Sequence, residues 1–246
     1  MLLRSITKHV TDQNWFAVFI DFIIVVVGIL IAFQITEWNE RQQANKREQL
    51  VLGQLHKEFT DIKSAIEKQN TIRNGYIKSL RHLIKTLEGE EAAADDLTVK
   101  KALDAARSTG RRPPQSAAYL QLMASGELTM LSSEELQKTL ISYDVLLKRD
   151  AFIFPVLMDI VTEEISSNPH VDLDINGIVI TGAAIDHNED DTKQLNETIK
   201  FYDLDGLRSF ESRYETLFII NTTILGSDSM LLELVNKVLK QISKSQ

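Results

Sequence analysis

Cysteine is absent from the 246-residue chain. That excludes disulfides, thiolate metal centres and thiol catalysis together, while leaving the compartment open, since many periplasmic domains also lack cysteine. Turn-formers are scarce, with 4 prolines and 10 glycines; this suits long helices and argues against a many-turned β fold. Basic excess is missing too. A formal charge of -8 argues against a nucleic-acid partner, which requires a basic face to neutralise phosphates. Catalytic signatures are lacking as well: there is no G-x-S-x-G, P-loop or G-x-G-x-x-G. His9, His56, His82, His170 and His187 fall in no HExxH spacing. No nucleophile, base and orienter can be named together, so no enzymatic activity and no cofactor is expected. Asp186, Glu189, Asp190 and Asp191 offer hard oxygen ligands, and Asp203-Leu204-Asp205-Gly206 faintly resembles a calcium loop. Neither stretch has the EF-hand register, so an acidic solvated loop and no metal are expected.

What the chain has is one long apolar run, FAVFIDFIIVVVGILIAF at 16–33, interrupted only by Asp21. It is about as long as a helix needs to be to cross a bilayer's hydrocarbon core. Trp15 and Trp38 flank it, at the depths where indoles favour headgroups. A cleaved signal would have a shorter apolar region and a small-x-small site, which QITEWNER does not offer. The expected organisation is an N-terminal tail over 1–14, a transmembrane helix over 15–38 and an extramembrane helical domain over 39–246. The lipid bilayer is thus the first partner. Arg4 and Lys8 precede the span, and Arg41, Lys46, Arg47 and Lys57 follow it among acids. Long domains translocate largely regardless of charge, so these residues leave both topologies open.

Beyond Trp38 the helical pattern continues without a breaker. Leu52, Leu55, Phe59, Ile62, Ile66, Gln69, Arg73, Tyr76, Leu80, Leu83 and Leu87 recur at steps of three and four, forming one seam broken by Gln69 and Arg73. That seam either packs against later helices or forms an oligomeric coiled coil. Glu88-Gly89 ends the helix, Glu90 to Asp96 reads as a loop, and Asp96 caps a short helix through Arg107. Gly110 to Pro114 marks a turn. A helix from about Gln115 presents Tyr119, Leu122 and Met123 and stops near Gly126. Ser132 with Glu135 has capping-box spacing for a helix toward Ser166, with a kink or break at Pro155. VDLDINGIVIT at 171–181 suggests a small β-hairpin around Asn176-Gly177. Two last helices, about Leu204–Leu225 and Ser227–Ser243, are separated by Gly226. The fold class is mainly α: a transmembrane helix continuing into a long helix and a helical bundle.

Two segments carry a resemblance. In IVVVGILIAFQITEWNER, Gly28, Gln34, Ile35, Trp38, Asn39 and Glu40, with Asp21 as the acid preceding the run, occupy the places of an anchor signature. In AYLQLMASGELTMLSSEELQKTLISYD, Tyr119, Leu122, Ser125, Gly126 and Leu128 match a Tyr-x-x-Leu-x-x-Ser-Gly-x-Leu block. Together they resemble the domain of unknown function 6090 family of bacterial single-span membrane proteins. The resemblance covers about 25 and about 30 residues and does not extend beyond about residue 170. It implies a bacterial cytoplasmic (inner) membrane protein, with the tail cytoplasmic and the helical domain periplasmic. It implies no activity.

Asp21 is the sharpest candidate residue. An ionised carboxylate in hydrocarbon is costly, so such acids tend to face protein or water. It lies six residues inside Trp15, about 9 Å by helical rise, and can reach the interface or be protonated. Otherwise it points to self-association or to another membrane protein as partner. Gly28 would permit close helix approach, though no second small residue completes a G-x-x-x-G pair. Gln34 can hydrogen-bond across helices or simply mark the end of the span. The leading function is therefore a membrane-anchored helical scaffold or interaction module. The alternative is an accessory subunit of a transport or ion-coupled complex using Asp21. A buried polar cluster lining a concave pocket would favour an enzyme, and an exposed apolar stripe along 52–87 a scaffold.

Overall fold

The computed structural model describes residues 15–90, 95–107, 114–173 and 199–245. Expectations for the 1–14 tail, most of the 90–96 loop, Gly110 to Pro113, Asn176-Gly177 and Asp186 to Asp191 lie outside the described residues. The fold is mainly α. Two compact units divide the chain, Met1–Val51 and Leu52–Gln246.

Helix α1 is Trp15–Glu88. In the first unit its apolar side chains are bare: Phe16, Phe19, Phe22, Ile24 and Phe33 stand 60–70 % exposed. In the second unit the seam is buried from Leu52 to Leu87, with Arg73 inside it. The seam therefore packs within the chain, as the first of its two readings expects.

The partners follow in order. α2, Asp96–Arg107, buries Val99, Ala102, Leu103 and Ala106 against Leu80, Leu83, Leu87 and Leu217. Asp95, one residue before the expected cap, accepts the Thr98 amide at 2.7 Å. That backbone hydrogen bond holds its carboxyl below the usual range. α3, Ala117–Ser125, begins at Ser116 and stops at Gly126, whose φ of 69° suits a residue without Cβ. Glu58 of α1 accepts from the Ser116 hydroxyl at 2.7 Å and the Ala118 amide at 3.0 Å. A carboxylate from another helix thus sits on the positive end of α3. A 3-10 turn, Glu127–Met130, follows.

α4 is Glu134–Ser167. Ser133, not Ser132, caps it by accepting from the Leu136 amide at 3.2 Å. Pro155 does not end it; the residue is exposed, so its ring meets solvent and only one ladder hydrogen bond is lost. β1, Val171–Leu173, pairs antiparallel with β2, Ile199–Tyr202. The strand at 171 is therefore present, but its described partner lies past residue 198 and not just beyond Asn176-Gly177. A short α5, Leu204–Leu207, and a 3-10 turn, Arg208–Phe210, lead into α6, Glu211–Ser245. Gly226 sits within α6 and does not divide it. A mid-helix glycine costs only about 1 kcal/mol, and burial of Leu217, Leu231, Val235 and Val238 along one face outweighs that.

Cross-links set the directions. Arg81 lies 5.2 Å over the Phe218 ring, while Arg73 reaches Asn221 and Asp228, so α6 runs antiparallel to α1. Arg149 and Asp150 meet Ser227, and Asn168 meets Tyr214 at 2.9 Å, so α4 runs antiparallel to α6. Phe59 and Tyr143 rings, 5.0 Å apart, join α1 to α4. Tyr119 meets Tyr143 edge-on at 6.4 Å.

Neither tyrosine hydroxyl has a hydrogen-bond partner among the described residues. Burial pushes the Tyr119 phenol up to about 12 and raises Tyr143 as well. Because a buried hydroxyl without a partner carries a desolvation cost, Tyr143→Phe should raise stability by about 1 kcal/mol. A thermal melt by circular dichroism checks this; a lower melting temperature would count against it.

Candidate functional site

Where the α1 seam turns polar, the bundle buries a charge. Arg73 is 2 % exposed and Asp228 is 7 % exposed. The Arg73 Nε lies 3.6 Å from the Asp228 carboxylate, and its Nη1 donates to Asn221 Oδ1 at 3.1 Å. Asn221 in turn donates to the Leu217 carbonyl at 2.9 Å. Burial is the leading cause of both shifts: it lowers the Arg73 guanidinium and raises the Asp228 carboxyl, with each partner's charge only partly opposing it. Negative charge from Asp150 pushes Asp228 up further.

A second polar group adjoins the first. Arg149 donates through Nε and Nη2 to Asp150 Oδ1 at 3.1 and 3.0 Å, and through Nη2 to Ser227 at 2.9 Å. The Ser227 hydroxyl donates to Asp150 Oδ2 at 2.5 Å. Arg73, Arg149, Asp150, Ser227 and Asp228 all line one cavity of about 460 Å3, with Leu147, Phe154, Ile224 and Leu231 among its walls. No histidine is among the lining residues, and the one hydroxyl with a carboxylate beside it lacks the third group of a catalytic set.

Sequence reasoning named Arg73 only as a flaw in a seam. The counterpart signal was readable in α6, where Asn221 and Asp228 interrupt the run Leu217, Ile220, Leu231 and Val235 at a seven-residue spacing that returns to one helix face.

The candidates of the first unit lie on α1. Trp15 opens the helix, and Asp21, Gly28, Gln34 and Trp38 are exposed along it. Asp21 and Gly28 are seven residues apart and so share a face about 10 Å apart along the axis. Gln34 falls on another face. Two helices, Val18–Glu88 and Leu204–Ser245, are long and apolar enough to cross a membrane. The second packs Tyr214, Leu217, Leu231 and Val238 into the bundle core.

Of the metal candidates, Asp203 and Asp205 are described, and each meets a basic side chain. Asp203 lies 3.4 Å from His170 Nδ1 and Asp205 3.9 Å from Arg208. Glu88, Glu211 and Glu215, not singled out from sequence, bring carboxylate oxygens within 4.8 Å of one another. Desolvation first, then the charges of Glu90, Glu211 and Glu215, raise the Glu88 carboxyl. A raised acid keeps a proton in the native state that the unfolded chain releases, so stability falls as pH rises above the ordinary carboxylate range. Glu88→Gln should therefore melt higher than the parent at neutral pH, and the gap should close in acid. Equal melting at both would refute it.

Compared with protein-family models, curated proteins and solved structures, the chain matches none.

Proposed function

We propose that this chain is a single-span membrane protein whose helical domain is an interaction module at the membrane surface, without enzymatic activity. The bare apolar helix of 16–33 carries this reading, because an exposed surface of that size on one helix is compatible with lipid and not with water. The resemblance to the domain of unknown function 6090 family supports a bacterial inner membrane, a cytoplasmic tail and a periplasmic domain.

An apolar stripe supports partner binding, though it lies on α4 and not on the 52–87 seam. Ile141, Val145, Phe152 and Val156 recur at steps of four, seven and four and stand 45, 61, 83 and 57 % exposed. Such a stripe suits self-association or another membrane protein. A role as an accessory subunit of a transport or ion-coupled complex is the second reading, favoured by an acid and a glycine on one face of the span.

Alkaline carbonate extraction tests the anchor; release of the intact chain from vesicles would end the proposal. Purification in mild detergent, with sizing and mass spectrometry of co-purifying proteins, tests the module. Val145→Glu with Phe152→Glu should shrink the complex if α4 docks the partner, and Asp21→Leu should shrink it if the span does. A monomer without partners before any substitution would sink the interaction reading.

A further inference from the structure

Four bare side chains of α4 share one face. Ile141, Val145, Phe152 and Val156 are exposed and fall within about 60° of one another around the helix axis. Together they offer about 450 Å2 of apolar surface, inside the range of about 300–600 Å2 for the largest patch on a typical monomer, which is often functional.

Their spacing is palindromic. Steps of four, seven and four are the same read from either end of the helix. A second α4 laid antiparallel and centred between Lys148 and Arg149 sets Ile141 against Val156 of the second copy, and Val145 against Phe152. Every apolar position meets an apolar position, the self-complementarity that a two-fold interface requires.

Charge agrees with the same alignment. Lys138 stands three residues before Ile141, Asp159 stands three residues after Val156, and both are exposed. They lie equally far from the centre of the stripe, so the antiparallel pair sets Lys138 against Asp159 of the second copy, twice. A parallel pair would set lysine on lysine and aspartate on aspartate, which is repulsive. Lys138 now bridges Glu134 at 2.9 Å, an exposed contact of small worth. At the centre, Lys148 and Arg149 occupy opposite edges of the stripe. Each is neutralised on its own helix, by Asp144 at 2.6 Å and Asp150 at 3.0 Å.

We propose that a second copy of this chain covers the α4 stripe, as an antiparallel two-fold pair. The proposal rests on the interaction-module reading and names the partner. Two such stripes hide about 900 Å2 of apolar surface, and the flanking charged side chains carry the total towards about 1,200 Å2, where stable interfaces begin.

The chain lacks cysteine, so introduced thiols report without background. With the full chain in mild detergent, Ile141→Cys combined with Val156→Cys should oxidise to a covalent dimer on a denaturing gel. Either substitution alone should leave monomer. The antiparallel pair holds the two copies of each position about 22 Å apart along the axis, far beyond the limit of about 7 Å between Cα atoms for a disulfide. Lys138→Glu should weaken the dimer about tenfold on dilution, and adding Asp159→Lys should restore it. These are exposed positions, and unchanged thermal melts confirm that the fold survives. The proposal is overturned if the double cysteine variant stays monomeric, if either single variant dimerises, or if the charge exchange fails to restore assembly. A complex with a different protein, stripped by Val145→Glu with Phe152→Glu, overturns the second copy and leaves the interaction module standing. A chain that stays alone overturns both.

Discussion

Truncating either partner of the buried pair, as Arg73→Ala or Asp228→Ala, should cost about 3–5 kcal/mol of unfolding free energy. Domains of this kind hold only about 5–15 kcal/mol in total, so each variant should melt far below the parent or fail to fold. The size of the loss does not measure the pair's net worth. Removing Asp228 leaves the guanidinium of Arg73, only 2 % exposed, without its carboxylate. Burial already disfavours the charged form of both groups, so their attraction does not fully offset desolvation. The double variant Arg73→Met/Asp228→Leu should therefore recover much of the loss, to within about 1 kcal/mol of the parent or above it. The pH dependence has a definite sign. A raised Asp228 binds a proton in the native state that the unfolded chain gives up, so the parent loses stability as pH rises from the ordinary carboxylate range through the raised one. That slope should be flatter in the double variant. Thermal melts of all four proteins across pH decide it; additive losses in the double variant would refute the argument.

The second large effect concerns the helix of residues 16–33. Fourteen of its residues are Phe, Ile, Val or Leu, each favouring insertion by about 0.3–0.6 kcal/mol, or roughly 4–8 in sum. Asp21 already opposes that sum. Val26→Arg with Leu30→Arg adds about 5–7 kcal/mol near the centre, enough to bring insertion close to balance. The doubly substituted chain should be released by alkaline carbonate or accumulate as aggregate, while Val26→Arg alone should remain largely membrane-bound. Full retention of the double variant would show that residues 16–33 are not what holds the chain to vesicles.

Periodicity made the helices legible. Ten of the eleven seam positions between Leu52 and Leu87 are buried, because steps of three and four leave few ways to hide that much apolar surface. Helix ends were harder. Asp95 and Ser133 do the capping expected of Asp96 and Ser132, since neighbouring residues offer the same oxygen and only backbone geometry chooses between them. Gly226 looked like a break, yet local propensity yields to the packing of a helix face around it; Pro155 does not break its helix either, because its ring lies on the solvent side. The block Tyr119, Leu122, Ser125, Gly126 proved architectural: two buried side chains, then a left-handed stop. Arg73 could be flagged as a break, but its partners lie 148 and, at Asp228, 155 residues onward, a pairing that spacing along one helix does not specify.

The Glu58 cap and the Arg73 network also act as stops against sliding. Leucine faces interdigitate nearly as well after a shift of one helical turn, about 5.4 Å. Such a shift would strand a guanidinium among leucines and pull a carboxylate off the start of α3. These polar contacts thus select one alignment of the helices from several that grease alone would permit.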